Sequence, residues 1–139
     1  MCQDIVELDS TIIFASLGSL SGQELARHTR PSKDLLIGDD KELGRKCCSI
    51  VAVILNSCSE AEVLFGKCMR LVENFERNLK IIVVPIHSKK AFLLIVSTRD
   101  SDEKGTVFRA SKILERFLVK KDFRRSLYKF IHSSGLSTW

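Results

Sequence analysis

The sequence predicts one α/β (α+β) domain built on a five-stranded antiparallel sheet. Three observations carry that expectation. The 139 residues suit one domain, able to bury roughly two-thirds of the surface an unfolded chain exposes. Apolar residues make up 45% of the chain and charged residues 28%, the balance of a globular protein rather than a disordered one. Strand-like and helix-like segments follow in the order strand, strand, helix, strand, strand, strand, helix, with a short C-terminal helix added. The domain is expected over residues 11–135, after an N-terminal segment at 1–10 and with basic C-terminal helices at 105–133.

The N-terminal segment is acidic and lacks the basic-then-apolar order of a signal peptide. Ten residues leave no room for a helix ahead of the first strand. Residues 11–17 are apolar and β-branched near their start, and Gly18 closes them as a strand. The Ser/Gly content of residues 17–22 marks a turn. Residues 23–29 then alternate, with Leu25 apolar between Glu24 and Arg27, as an edge partner that Pro31 ends. A loop runs on to Gly38.

Asp39 or Asp40 is the expected N-cap of a helix reaching about Ser57. Its apolar positions, Leu43, Cys47, Ile50, Val51, Ile54, Leu55 and Cys58, form a helical stripe. Gly44, Cys48 and Ala52 make a second row of small residues at four-residue spacing, which lets another backbone come close. Val53 stands nearly opposite the stripe. An apolar arc this wide must bury its second flank somewhere, in a partner or under the chain's own terminal helices.

Residues 59–78 have two readings. Ser59 with Glu62 fits a capping box, and Ala61, Leu64, Phe65, Cys68, Val72 and Phe75 fit helical spacing. Alternatively the helix stops near Leu64 and a strand runs over residues 68–75. The next segment is plainer. Residues 81–86 and 92–98 are β-rich runs around a polar turn, His87, Ser88, Lys89 and Lys90. Both arms are apolar almost throughout, which places them centrally in the sheet. Pro85 cannot donate to a ladder and is expected at the end of pairing or at a bulge.

After an acidic loop at residues 100–103, Thr106 is expected to open a helix with Ala110, Ile113, Leu114, Phe117 and Leu118 on one side. Asp122 is the expected cap of a second short helix, burying Phe123, Leu127, Phe130 and Ile131 and stopped by Gly135. Residues 104–129 hold nine basic and two acidic residues, a net +7 that leaves −2 for the rest of the chain. Arg109, Lys112, Arg116, Lys120, Arg124 and Arg125 are the candidate patch for an anionic partner. It suits an acidic protein or an anionic membrane, where each basic residue contributes on the order of 1 kcal/mol. Nucleic acid is the alternative, using the basic C-terminal helices, but the nearby aromatic residues fall at core spacing and offer no stacking platform.

Catalytic and cofactor chemistry finds no support. His28, His87 and His132 lack carboxylate or cysteine neighbours at metal or triad spacing. No nucleophile elbow, Walker loop or dinucleotide fingerprint occurs. Asp39 with Asp40 reads as helix capping. The five cysteines, Cys2, Cys47, Cys48, Cys58 and Cys68, are odd in number and include no Cys-x-x-Cys pair. They suit a reducing compartment, as small core hydrophobes. No cofactor or metal is expected, and the chain reads as a non-enzyme. A small-ligand sensor of PAS or GAF type would share the sheet-and-helix outline.

The hairpin also carries a resemblance. Ile82, Val83 and Pro85, then Phe92, Leu93, Ile95 and Val96, resemble the last two strands of the roadblock dynein light chains, within the roadblock/longin-like superfamily. The acid-capped helix falls where that family has its dimer helix, and residues 11–29 resemble its first hairpin. The likeness spans residues 11–98, and it favours the strand reading of residues 68–75. The basic helical tail is more similar to Rag GTPase C-terminal domains and to longin domains. The resemblance implies an adaptor that pairs through its long helix and a sheet edge into a sheet continuous across two subunits. It implies a homo- or heterodimer docking a small GTPase, motor or trafficking complex, in the cytoplasm or on endomembranes. By that likeness Gly44, Cys48, Ala52 and Val53 are the expected dimer surface.

Overall fold

The computed structural model describes residues 1–31 and 40–119. Its centre is the hairpin of β4 (Leu79–Ile86) and β5 (Ala91–Thr98), joined by a 3-10 turn at His87–Lys89. Every β5 residue except Thr98 is buried, because both faces of the strand are covered. On β5's other side runs β1 (Ile12–Ser19), hairpin partner of β2 (Glu24–Thr29), and β3 (Leu71–Phe75) pairs with β4. The sheet is antiparallel throughout, in the order β2-β1-β5-β4-β3. Pro85 pairs opposite Phe92 of β5 but lies beyond Val83, the last partner of β3. It therefore marks where pairing with β3 stops.

One sheet face packs against α1 (Cys2–Val6) and α4 (Glu103–Val119). Ile5, Val6, Ala110 and Ile113 meet Ile12, Ile82, Leu93 and Ile95 there. The other face packs against α2 (Asp40–Ser57), whose Cys48, Val51, Ala52 and Leu55 meet Phe14, Val83, Phe92, Leu94 and Val96. Gly18 is required on that side, since a Cβ there would lie 2.4 Å from the Phe92 ring.

Several expectations change. The first ten residues do supply a leading helix, α1, and Cys2, Ile5 and Val6 belong to the core. Five residues cannot sustain a helix alone, so packing on the sheet forms it. After α2 the chain makes a short helix, α3 (Ser59–Phe65), and then the strand β3, as the strand reading of 59–78 expects, with the strand opening at Leu71 rather than Cys68; the helix does not run on to Phe75. Gly66, at φ +85°, separates them. The capping box is not formed: Cys58 holds the cap position without a side-chain cap hydrogen bond. α4 opens at Glu103 rather than Thr106, with Asp102 Oδ1 accepting from the Gly105 amide at 3.2 Å. The second C-terminal helix expected after Asp122, and the loop to Gly38, lie outside the described residues.

Candidate functional site

α2 is the element with two apolar flanks. Its small row faces the sheet: Gly44, Cys48 and Ala52 are all buried. The expectation that this row forms an outward dimer surface is corrected on physical grounds. A Cβ on Gly44 would lie 1.9 Å from Glu24 Oε2, so the carboxylate of β2 fills the space that glycine leaves. Ser16 Oγ lies 2.9 Å from that carboxylate and 3.5 Å from Cys48 Sγ. Small residues here bring the helix close to β1 and β2 of its own chain. Of the four expected surface residues only Val53 points outward, at 64% exposure.

The free flank lies elsewhere on α2. Ile50 is 59% exposed, while Leu43, Cys47 and Ile54 are half-buried along the wall of a groove. The opposite wall and floor come from Leu71, Glu73, Phe75 and Ile81 on β3 and β4. This groove, about 580 Å³ in volume, is predominantly apolar. It exists because α2 packs on β1, β5 and part of β4 and leaves the β3 side of the sheet uncovered. β3 is also a sheet edge, with one ladder to β4 and none outward among the described residues. Beyond the groove, α3 has no buried residue. Val63 is 86% and Phe65 85% exposed, and Leu64 and Met69 are exposed beside them. The seven-position stripe read from the sequence merges inward and outward residues. The small row was the signal that separates them, because it marks the side of closest approach.

The basic face divides. Arg109 donates from Nη1 to the Leu8 carbonyl at 3.2 Å and from Nε to the Gly105 carbonyl at 3.3 Å. Its Nη2 lies 3.6 Å from the Asp9 carboxylate. It fastens the N-terminal segment to α4 while its side chain stays partly exposed. Hydrogen bonds from Thr11, and then Arg109, hold the Asp9 carboxyl below its usual range. Lys112 and Arg116 lie on the outer side of α4, with Lys112 Nζ 5.3 Å from the Phe108 ring centre. Lys120, Arg124 and Arg125 lie outside the described residues.

The remaining candidates are structural. His87 is exposed, but its Nε2 lies 2.8 Å from the Cys68 carbonyl and ties the β4–β5 turn to the approach to β3. No three metal-ligating side chains converge among the described residues. All five cysteines are free thiols. Burial pushes Cys2 and Cys48 up to about 11, against the thiolate form that nucleophilic chemistry needs. Among the described residues no single helix is long and apolar enough to cross a membrane.

The strand order, with α2 on one face and α1 and α4 on the other, defines the roadblock/longin-like fold. No protein-family model and no curated protein matches the sequence. Solved structures do match in shape. The Roadblock/LC7 domain from Streptomyces avermitilis superposes with a TM-score of 0.67 at 15% identity, covering 86% of this chain and 95% of that one. The gliding protein MglB from Thermus thermophilus gives 0.64 at 18% identity, with 83% of each chain covered. An MglB with a tetrameric arrangement gives 0.62 at 17% identity, over 83% of this chain and 82% of that one. At these identities the superpositions show a shared fold and nothing further.

Proposed function

We propose that this protein is a non-enzymatic adaptor that pairs with a second polypeptide through the outer flank of α2 and the β3 edge. The single observation that carries the reading is the apolar groove between those elements, bordered by exposed Ile50 and by a strand whose outer edge has no partner among the described residues. Open strand edges are templates for another strand, and exposed apolar surface of this extent marks interaction sites. The roadblock resemblance supports the same two elements, and it supports a small GTPase, motor or trafficking complex as what the assembled pair docks. Lys112 and Arg116 on α4, on the opposite face of the sheet, would leave a basic surface for an acidic partner or an anionic membrane in the cytoplasm.

Purified chain with Ile50→Arg and Val53→Arg tests this reading. The wild-type chain, alone or with a co-expressed partner, is expected to run as a complex by light scattering. The double variant is expected to stay folded by circular dichroism and to run as a monomer. Unchanged association in the double variant would overturn the reading.

A further inference from the structure

The β3 edge carries information about what pairs with it. Leu71, Glu73 and Phe75 share the α2 face of the sheet, opposite Val83, Ile81 and Leu79 of β4. Glu73 thus places a carboxylate midway between two apolar residues on the groove wall. Among the described residues no basic group lies in ion-pair contact with it.

A second copy would extend the sheet by a two-fold axis normal to it, with the two β3 strands antiparallel. Residues directly opposite then point to the same face, so only registers that shift in steps of two are permitted. Full overlap of the five-residue strand sets Leu71 against Phe75 twice and Glu73 against its own copy. Like charges directly opposite destabilise a ladder. The neighbouring registers avoid that contact only by shortening the ladder and setting Glu73 against Leu71 or Phe75.

We propose that the β3 edge selects a non-identical chain: one presenting an antiparallel edge strand with lysine or arginine opposite Glu73 and apolar residues two positions to either side. The inference rests on the docking surface proposed above. It makes Glu73 a specificity determinant that weakens self-pairing and favours a cationic partner.

A charge-swap mixing experiment tests it. Wild-type, Glu73→Gln and Glu73→Lys chains are measured alone and in equimolar pairs by sedimentation equilibrium, with Ile50→Arg as a control. The wild-type and Glu73→Lys mixture is expected to form a 1:1 complex at least tenfold tighter than either chain with itself. Glu73→Gln is expected to self-associate several-fold more tightly than wild type. A wild-type homodimer as tight as the mixture, still broken by Ile50→Arg, would overturn the selectivity while sparing the docking surface. No association in any sample, or association indifferent to both Glu73 and Ile50, would overturn both.

Discussion

The two faces of this sheet are built from equally apolar strands yet end differently. On one, α1 and α4 together close over Ile12, Ile82, Leu93 and Ile95, and no large apolar side chain of that cluster is exposed. On the other, α2 alone covers β1, β5 and part of β4, and leaves a groove along β3. The difference teaches where stability and association reside. A face sealed by its own chain is core, and substitutions there cost folding. A face half-sealed is surface until something docks, and substitutions there cost assembly.

The largest effect is expected on the sealed face. Ile95→Ala, at a fully buried central position, should lose about 2–5 kcal/mol of stability in chemical denaturation. Next is the seam between α2 and β2. Gly44→Ala displaces the Glu24 carboxylate, the far end of a flexible side chain, from Ser16, and after the helix-propensity gain of alanine should cost no more than about 1 kcal/mol. Adding Glu24→Ser should recover part of that loss, and a double-mutant cycle would measure the coupling. On the open flank, Val53→Arg should change stability by no more than about 0.5 kcal/mol while lowering association.

The thiols sharpen the contrast by pH. Cys2 on the sealed face and Cys48 on the sheet-facing side of α2 are both raised from 9.0 to about 11 by burial. The folded protein therefore holds these protons more tightly than the unfolded chain does. Their contribution to stability is fully present below about pH 9 and is lost as pH rises toward 11. At about pH 8, below the ordinary thiol range, alkylation followed by mass spectrometry should label both more slowly than the same residues in denaturant.

Legibility in the sequence followed the same division. The β4–β5 hairpin was readable because a strand buried on both faces is apolar at nearly every position, and β5 is. The helix Asp40–Ser57 was readable from its period, but its rotation was not. Periodicity counts apolar residues without saying which side lies against the sheet, and Gly44, Cys48 and Ala52 lay inward because closeness, not polarity, decided. α1 was invisible because tertiary packing, rather than local propensity, makes a five-residue helix. In residues 59–75 helical spacing continued across Gly66 into the strand, where the glycine's positive φ ends the helix. The edge role of β3, and with it the meaning of Glu73, depends on strand order, which the local pattern of five residues does not encode.

Hydrogen exchange at β3 tests the central claim most directly, compared between the dilute wild-type chain and its equimolar mixture with Glu73→Lys. Docking on the open face should slow the amides of Leu71–Phe75 and leave those of α4 unchanged. Unaltered exchange along β3 in a mixture that does associate, with slowing confined to α4, would contradict it.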